Sequence, residues 1–181
     1  RQDILSHNSG WNTYWVKQQT EKEQKLTGKT IVETVDDLMF KSELDEWLKL
    51  SNEFNPDPES EISKKHKQLI KNIFNHLWLT DYYGDAEDSL INIILNSGKF
   101  RWFEASIFVS AITLSLFRTW QPEKIFYLIN IYEDGKDQIR ERALTGLLLN
   151  LHYYNDRILL FPEIMEKVKE MSLDEKFREH C

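Results

Sequence analysis

The chain has 181 residues, with only 6 Gly and 4 Pro against 10 Phe, 7 Tyr and 6 Trp, and a formal net charge of −7. So little Gly and Pro excludes turn-dense β-sandwiches, propellers and collagen-like repeats, and so much apolar surface excludes a disordered chain. The acidic balance opposes non-specific binding to phosphate backbones or anionic lipid, which leaves a compact helical domain long enough to bury a real core.

The chain opens on Arg1, and no charged segment followed by an apolar stretch stands at its start. We therefore expect a piece of a longer protein or a processed chain. Ser9 is placed to cap a helix through Trp11, Tyr14 and Trp15 into the polar run 18–25, with Gly28 as its stop. Thr34 is the expected N-cap of a helix over Val35–Phe40, with Asp36 and Asp37 in its first turn. Ser42 opens a second short helix carrying Leu44, Trp47, Leu48 and Leu50. The run Asn55-Pro56-Asp57-Pro58 then breaks the chain, because each proline pushes its predecessor out of the helical region. The expected organisation is an N-terminal helical segment, 1–57, packed on a helical-repeat region, 58–181, in one compact unit.

Beyond Pro58 the apolar positions become regular. Leu69, Ile70, Ile73, Phe74, Leu77 and Trp78 predict a helix ending before Tyr82. Leu90 to Leu95 predict a second, stopped at Asn96-Ser97-Gly98, and Phe103–Phe117 a third that is apolar on nearly every side. Pro122, at a first-turn position, opens a helix over Ile125–Tyr132 that stops at Asp134-Gly135. Ile139–Tyr154 is again long and apolar almost all round, and Leu159–Val168 and the charged Leu173–Arg178 follow. The most apolar run, Ala105–Phe117, has 13 residues between Glu104 and Arg118, short of the roughly 20 a membrane span needs.

These helices pair, and the pairs align. A shift of 36 residues places Leu90 on Phe126, Ile93 on Ile129 and Leu95 on Ile131. In the same register Phe103 falls on Ile139, Ile107 on Ala143, Ala111 on Leu147 and Phe117 on Tyr153. Ser110 falls on Gly146, a small-residue position where two helices could approach closely. A further step begins a third unit at Phe161 and Ile164, and a backward shift of 37 places Ile70 on Ile107. A repeated helix pair marks an α-solenoid. Helices apolar on all sides also need neighbours on both flanks, which stacked pairs supply.

On these residues the segment from about 64 to 170 resembles the HEAT/armadillo-like group of α-solenoids. That resemblance implies an all-α fold of antiparallel helix pairs stacked as a short right-handed superhelix. Pro122 and Pro162 lie near first helices, as HEAT units commonly place a proline, and Asp137 with Arg140 gives half of the usual turn pair.

Sites for chemistry are absent from the pattern. His7, His66, His76, His152 and His180 are scattered without metal-ligand spacing, and Gly28-Lys29-Thr30 lacks the upstream glycine of a phosphate loop, having Glu23 there. Neighbouring acids such as Glu87/Asp88 do not face one another on a helix and read as first-turn complements to its dipole. His76 and His152 sit where a histidine meets the carbonyls of a helix C-terminus. No catalytic, cofactor or metal site is expected. Cys181 alone can form no intrachain disulfide, which points to a cytoplasmic setting.

Aromatics gather at the unit ends: Tyr82 and Tyr83, Trp120, and Tyr153 and Tyr154 beside His152. They either seal the turns between units or form a ridge for a protein partner, since Trp and Tyr dominate binding hot spots. The expected function is a non-catalytic module for protein–protein interaction or scaffolding, its partner unidentified, with those six residues as candidate surface. The alternative is a HEAT-like nucleic-acid-binding or DNA-repair protein. It has support only from Lys64-Lys65-His66-Lys67 with Lys71 and from Arg118, Arg140 and Arg142, and the net acidity opposes it.

Overall fold

The computed structural model describes residues 31, 33–35, 61–173 and 177. Among these the secondary structure is helical, with no strand. The helices are α1 (Glu61–Leu79), α2 (Asp85–Asn96), α3 (Trp102–Arg118), α4 (Pro122–Asp134), α5 (Asp137–Tyr153), α6 (Asn155–Ile158) and α7 (Pro162–Leu173). The chain divides into two compact units, one of Arg1–Leu79 with Gly84–Ile93 and the other of Thr80–Tyr83 with Ile94–Cys181.

Within the first unit, Leu69, Ile73 and Leu77 repeat every four residues along α1 and are buried together with Leu90 and Ile91 of α2. Glu87 is the third residue of α2, and its Oε2 accepts the Gly84 amide N–H at 2.9 Å, just ahead of the helix. This satisfies one of the donors that every helix start leaves open. Its other oxygen, Oε1, lies 2.8 Å from Nε2 of His76, in the last turn of α1. One carboxylate thus serves the start of one helix and the end of another. Ile31 and Val35, four residues apart, are both fully buried.

The second unit has its core on α3, α4 and α5, which pack against one another, with α6 and α7 following them. Phe108, Ile112 and Leu116 of α3, Ile125, Leu128 and Ile129 of α4, and Ala143 and Leu147 of α5 are buried. Removing a side chain such as Leu116 from a core of this kind costs about 2–5 kcal/mol. Glu104 repeats the device of Glu87: third in α3, it accepts the Arg101 N–H through Oε2 at 2.9 Å. Pro122 and Pro162 each open a helix, where the missing N–H is no loss.

Three expectations need correction. Residues 31 and 33–35 are helical, so Thr34 lies inside a helix that starts upstream of it; the burial of Ile31 and Val35 outweighs its capping preference. The helix expected over Leu159–Val168 starts instead at Pro162, because a proline cannot sit in a helix interior, and Leu159 and Leu160 form an exposed turn. The α5 helix is not covered all round: Leu148, Leu149 and Tyr153 are exposed. The expected caps at Ser9 and Ser42, the break at 55–58, the 28–30 motif, His7, His180 and Cys181 lie outside the described residues.

Candidate interaction surface

The end of α5 carries the densest aromatic grouping of the second unit. Tyr153 closes the helix and Tyr154 follows it directly. The Tyr154 hydroxyl donates to the carbonyl oxygen of Leu116, at 2.7 Å, which is one of the carbonyls the end of α3 leaves open. Its ring lies 4.6 Å from that of Trp120, and Trp120 in turn lies 5.6 Å from Phe161. Tyr153 meets Phe117 edge-on at 5.2 Å and Tyr154 at 4.7 Å. Edge-to-face pairs of this kind contribute about 0.5–1.5 kcal/mol beyond their burial. Burial pushes the Tyr154 hydroxyl above the ordinary tyrosine range, with the neighbouring Tyr153 acting in the same sense and Arg157 in the opposite one.

Of the six residues singled out in the sequence, the structure gathers Trp120, Tyr153 and Tyr154 into this one cluster. Trp120 and Tyr154 are half-buried, whereas Tyr153 stays 63% exposed. His152 is exposed one residue earlier. Leu149, one turn before Tyr153, extends the apolar surface along α5, and Leu148 lies beside it. The cluster therefore combines a sealed inner layer with an open outer edge.

Tyr82 and Tyr83 belong elsewhere, to the turn after α1. Tyr82 is 73% exposed, and Tyr83 is buried against Tyr127, ring centroids 5.9 Å apart. Gln121 and Lys124, which hold this turn, drew no expectation from the sequence. Gln121 takes both backbone groups of Tyr83, accepting its N–H at 2.9 Å and donating to its carbonyl at 3.2 Å. Lys124, with 0% exposure, donates to the carbonyl oxygens of Thr80 and Asp81, both at 2.9 Å, and to Ser115 Oγ at 2.8 Å. Its ammonium also lies 4.2 Å from the centroid of the Tyr83 ring, in cation–π range. Arg118 pairs with the Asp81 carboxylate, which also accepts from the Thr119 hydroxyl at 3.2 Å. One signal was available: a lysine third in a helix stands at the positive end of the dipole, so it needs strong acceptors to hold it there.

Lys64, Lys65, Lys67 and Lys71 form an exposed face of α1, and Arg142 is exposed on α5. His76 Nε2 lies 2.8 Å from the Glu87 carboxylate. Among the described residues no group of His, Cys, Asp or Glu converges to hold a metal ion, and no helix is long and apolar enough to cross a membrane. Neither models of known families, nor curated proteins, nor solved structures give a match to the chain.

Proposed function

We propose that the chain is a non-catalytic helical-repeat module for protein–protein interaction or scaffolding. In this reading its helices form antiparallel pairs stacked as a short right-handed superhelix, HEAT-like in architecture. The observation that carries the repeat is where its hydrogen bonds fall. Ser115 reaches Thr80 across 35 residues, Arg118 reaches Asp81 across 37, and Gln121 reaches Tyr83 and Tyr154 reaches Leu116 across 38. Phe117 and Tyr153, which the shift of 36 superposes, meet edge to face. Stacked repeats bring residues one period apart into contact, and such contacts recur here.

The docking face in this reading is the edge of Leu149, His152 and Tyr153. A half-buried base of Phe117 and Tyr154 meets the Tyr153 ring, so that binding orders little that is not already ordered. A photocrosslinking residue placed at position 149 or 153 tests it in extract of the source organism. The expected result is a discrete crosslinked protein from both positions and none from Lys169, an exposed control on α7. Identical patterns from all three sites would refute the assignment.

The nucleic-acid reading would rest on the exposed lysines of α1. Arg118, one of its three arginines, is engaged by Asp81. Failure to shift duplex or single strands at about 50 mM salt, where phosphate contacts are strong, would close that alternative.

A further inference from the structure

The hold on residues 80–83 is that of a binding site on a peptide. A connecting turn can leave its backbone groups to water. This one instead meets a wall of buried side chains, since Ser115, Gln121 and Lys124 are all buried. The wall reads the segment at four points. Lys124 takes two successive carbonyls, and Gln121 takes the amide and carbonyl of one residue, as a neighbouring strand would. Arg118 and Thr119 take the Asp81 carboxylate. Tyr83 fills the space against Lys124 and Tyr127. Between these contacts Tyr82 reaches solvent. Two contacts recognise backbone, one an acid and one an aromatic ring two residues later.

We propose that the junction of α3 and α4 is a recognition site for an extended segment carrying an acidic residue followed two positions later by an aromatic one, and that Thr80–Tyr83 occupies it as an internal ligand that a partner segment of the same chemistry displaces. The specificity lies in the pairing of a carboxylate with Arg118 and of a ring with the Lys124 ammonium. Main-chain hydrogen bonds supply sequence-independent affinity, as in other recognition of extended peptides. Because the internal ligand is tethered, an external segment competes with an intramolecular one and succeeds only at high local concentration. This site is separate from the aromatic edge of α5, and either can fail without the other.

The test uses the full chain. A fluorescein-labelled peptide of sequence Leu-Thr-Asp-Tyr-Tyr-Gly is titrated against the wild type and against the Asp81→Ala/Tyr83→Ala double variant, which strips the internal segment of its carboxylate and ring contacts and leaves it held through its backbone alone. The double variant is expected to bind at least tenfold more tightly than the wild type. Adding Gln121→Ala to it, or replacing Asp by Ala in the peptide, should abolish binding. Circular dichroism and a melting curve establish that each variant is folded. A folded double variant that does not bind the peptide overturns the proposal. If the double variant does not fold, amide exchange of wild-type Tyr83 decides: opening at lower free energy than global unfolding supports a displaceable ligand. Exchange only through global unfolding makes the contact a permanent part of the fold and overturns the proposal.

Discussion

Gly146 of α5 lies directly against the Thr113 side chain of α3, so close that a Cβ at position 146 would overlap its hydroxyl. The Thr113 hydroxyl is itself committed to the Val109 carbonyl at 3.0 Å, so it cannot simply swing aside. Gly146→Ala is expected to destabilise the protein by about 1–3 kcal/mol through overpacking, even though alanine is the better helix former. Thr113→Ala in the same chain removes the obstructing atoms and should recover most of that loss. A double-mutant cycle on denaturant unfolding measures the coupling, and additive single effects would contradict the contact.

Lys124→Met tests the buried ammonium. The methionine keeps most of the volume but takes the ammonium from the Thr80 and Asp81 carbonyls, leaving the Ser115 hydroxyl at 3.2 Å from the first. The expected loss is about 2 kcal/mol. Lys124→Arg should fail as well, because a planar fork cannot gather three acceptors around one point. Chemical denaturation of both variants gives the answer. Stability equal to wild type in either would mean the carbonyls are met by water.

Glu87 predicts an acid sensitivity. Burial alone would raise its pKa, but the hydrogen bond from His76, the Gly84 amide and the charge of His76 together hold it below the ordinary value of 4.5. A carboxylate lowered on folding contributes stability that is fully present above its unfolded pKa and is lost as pH falls through the folded one. Glu87→Gln should therefore cost about 1–2 kcal/mol at pH 7. The gap to wild type should narrow steadily below about pH 4.5 and vanish in strong acid. Melting temperatures taken between pH 7 and pH 3 follow this, and a constant gap would exclude it.

Gly98 ends the turn after α2 with φ at 68°, and there is open space where a Cβ would stand. The cost of Gly98→Ala is thus a backbone cost alone, about 1 kcal/mol. Gly98→Asn should cost less, since asparagine tolerates the left-handed region. Thermal melts of the two variants should rank in that order, and the reverse order would exclude this account.

The sequence made some of these features legible and hid others for physical reasons. Periodicity found the bodies of α1 to α5, and Pro122 marked the start of α4, because helix burial and breaker chemistry are both local signals. The same pattern singled out Gly146 as a close-approach position. It could not show how much of α5 stays open, since coverage depends on neighbours and not on the helix itself. Hydrophobic content alone made Leu159 and Leu160 look like helix core, whereas Pro162 sets the start of α7. The Thr80–Tyr83 hold was invisible for a further reason. Gln121 and Lys124 look like ordinary surface, Ser115 is lost in an apolar run and Arg118 reads as a cation for phosphate, and only their convergence on one segment gives them meaning.

That convergence also fixes an order of events. Lys124 meets the Asp81 and Thr80 carbonyls across 43 and 44 residues, and Gln121 meets Tyr83 across 38. Loops of that length must close before any of these bonds can form, and closure costs entropy that no local contact repays. During synthesis at about 5–20 residues per second, residues 80–83 leave the peptidyl-transfer site roughly 2–9 s before Lys124 is added. For that interval the residues of the turn lack the side chains that hold them in the folded chain, and the turn can take its final form only after α4 has been made.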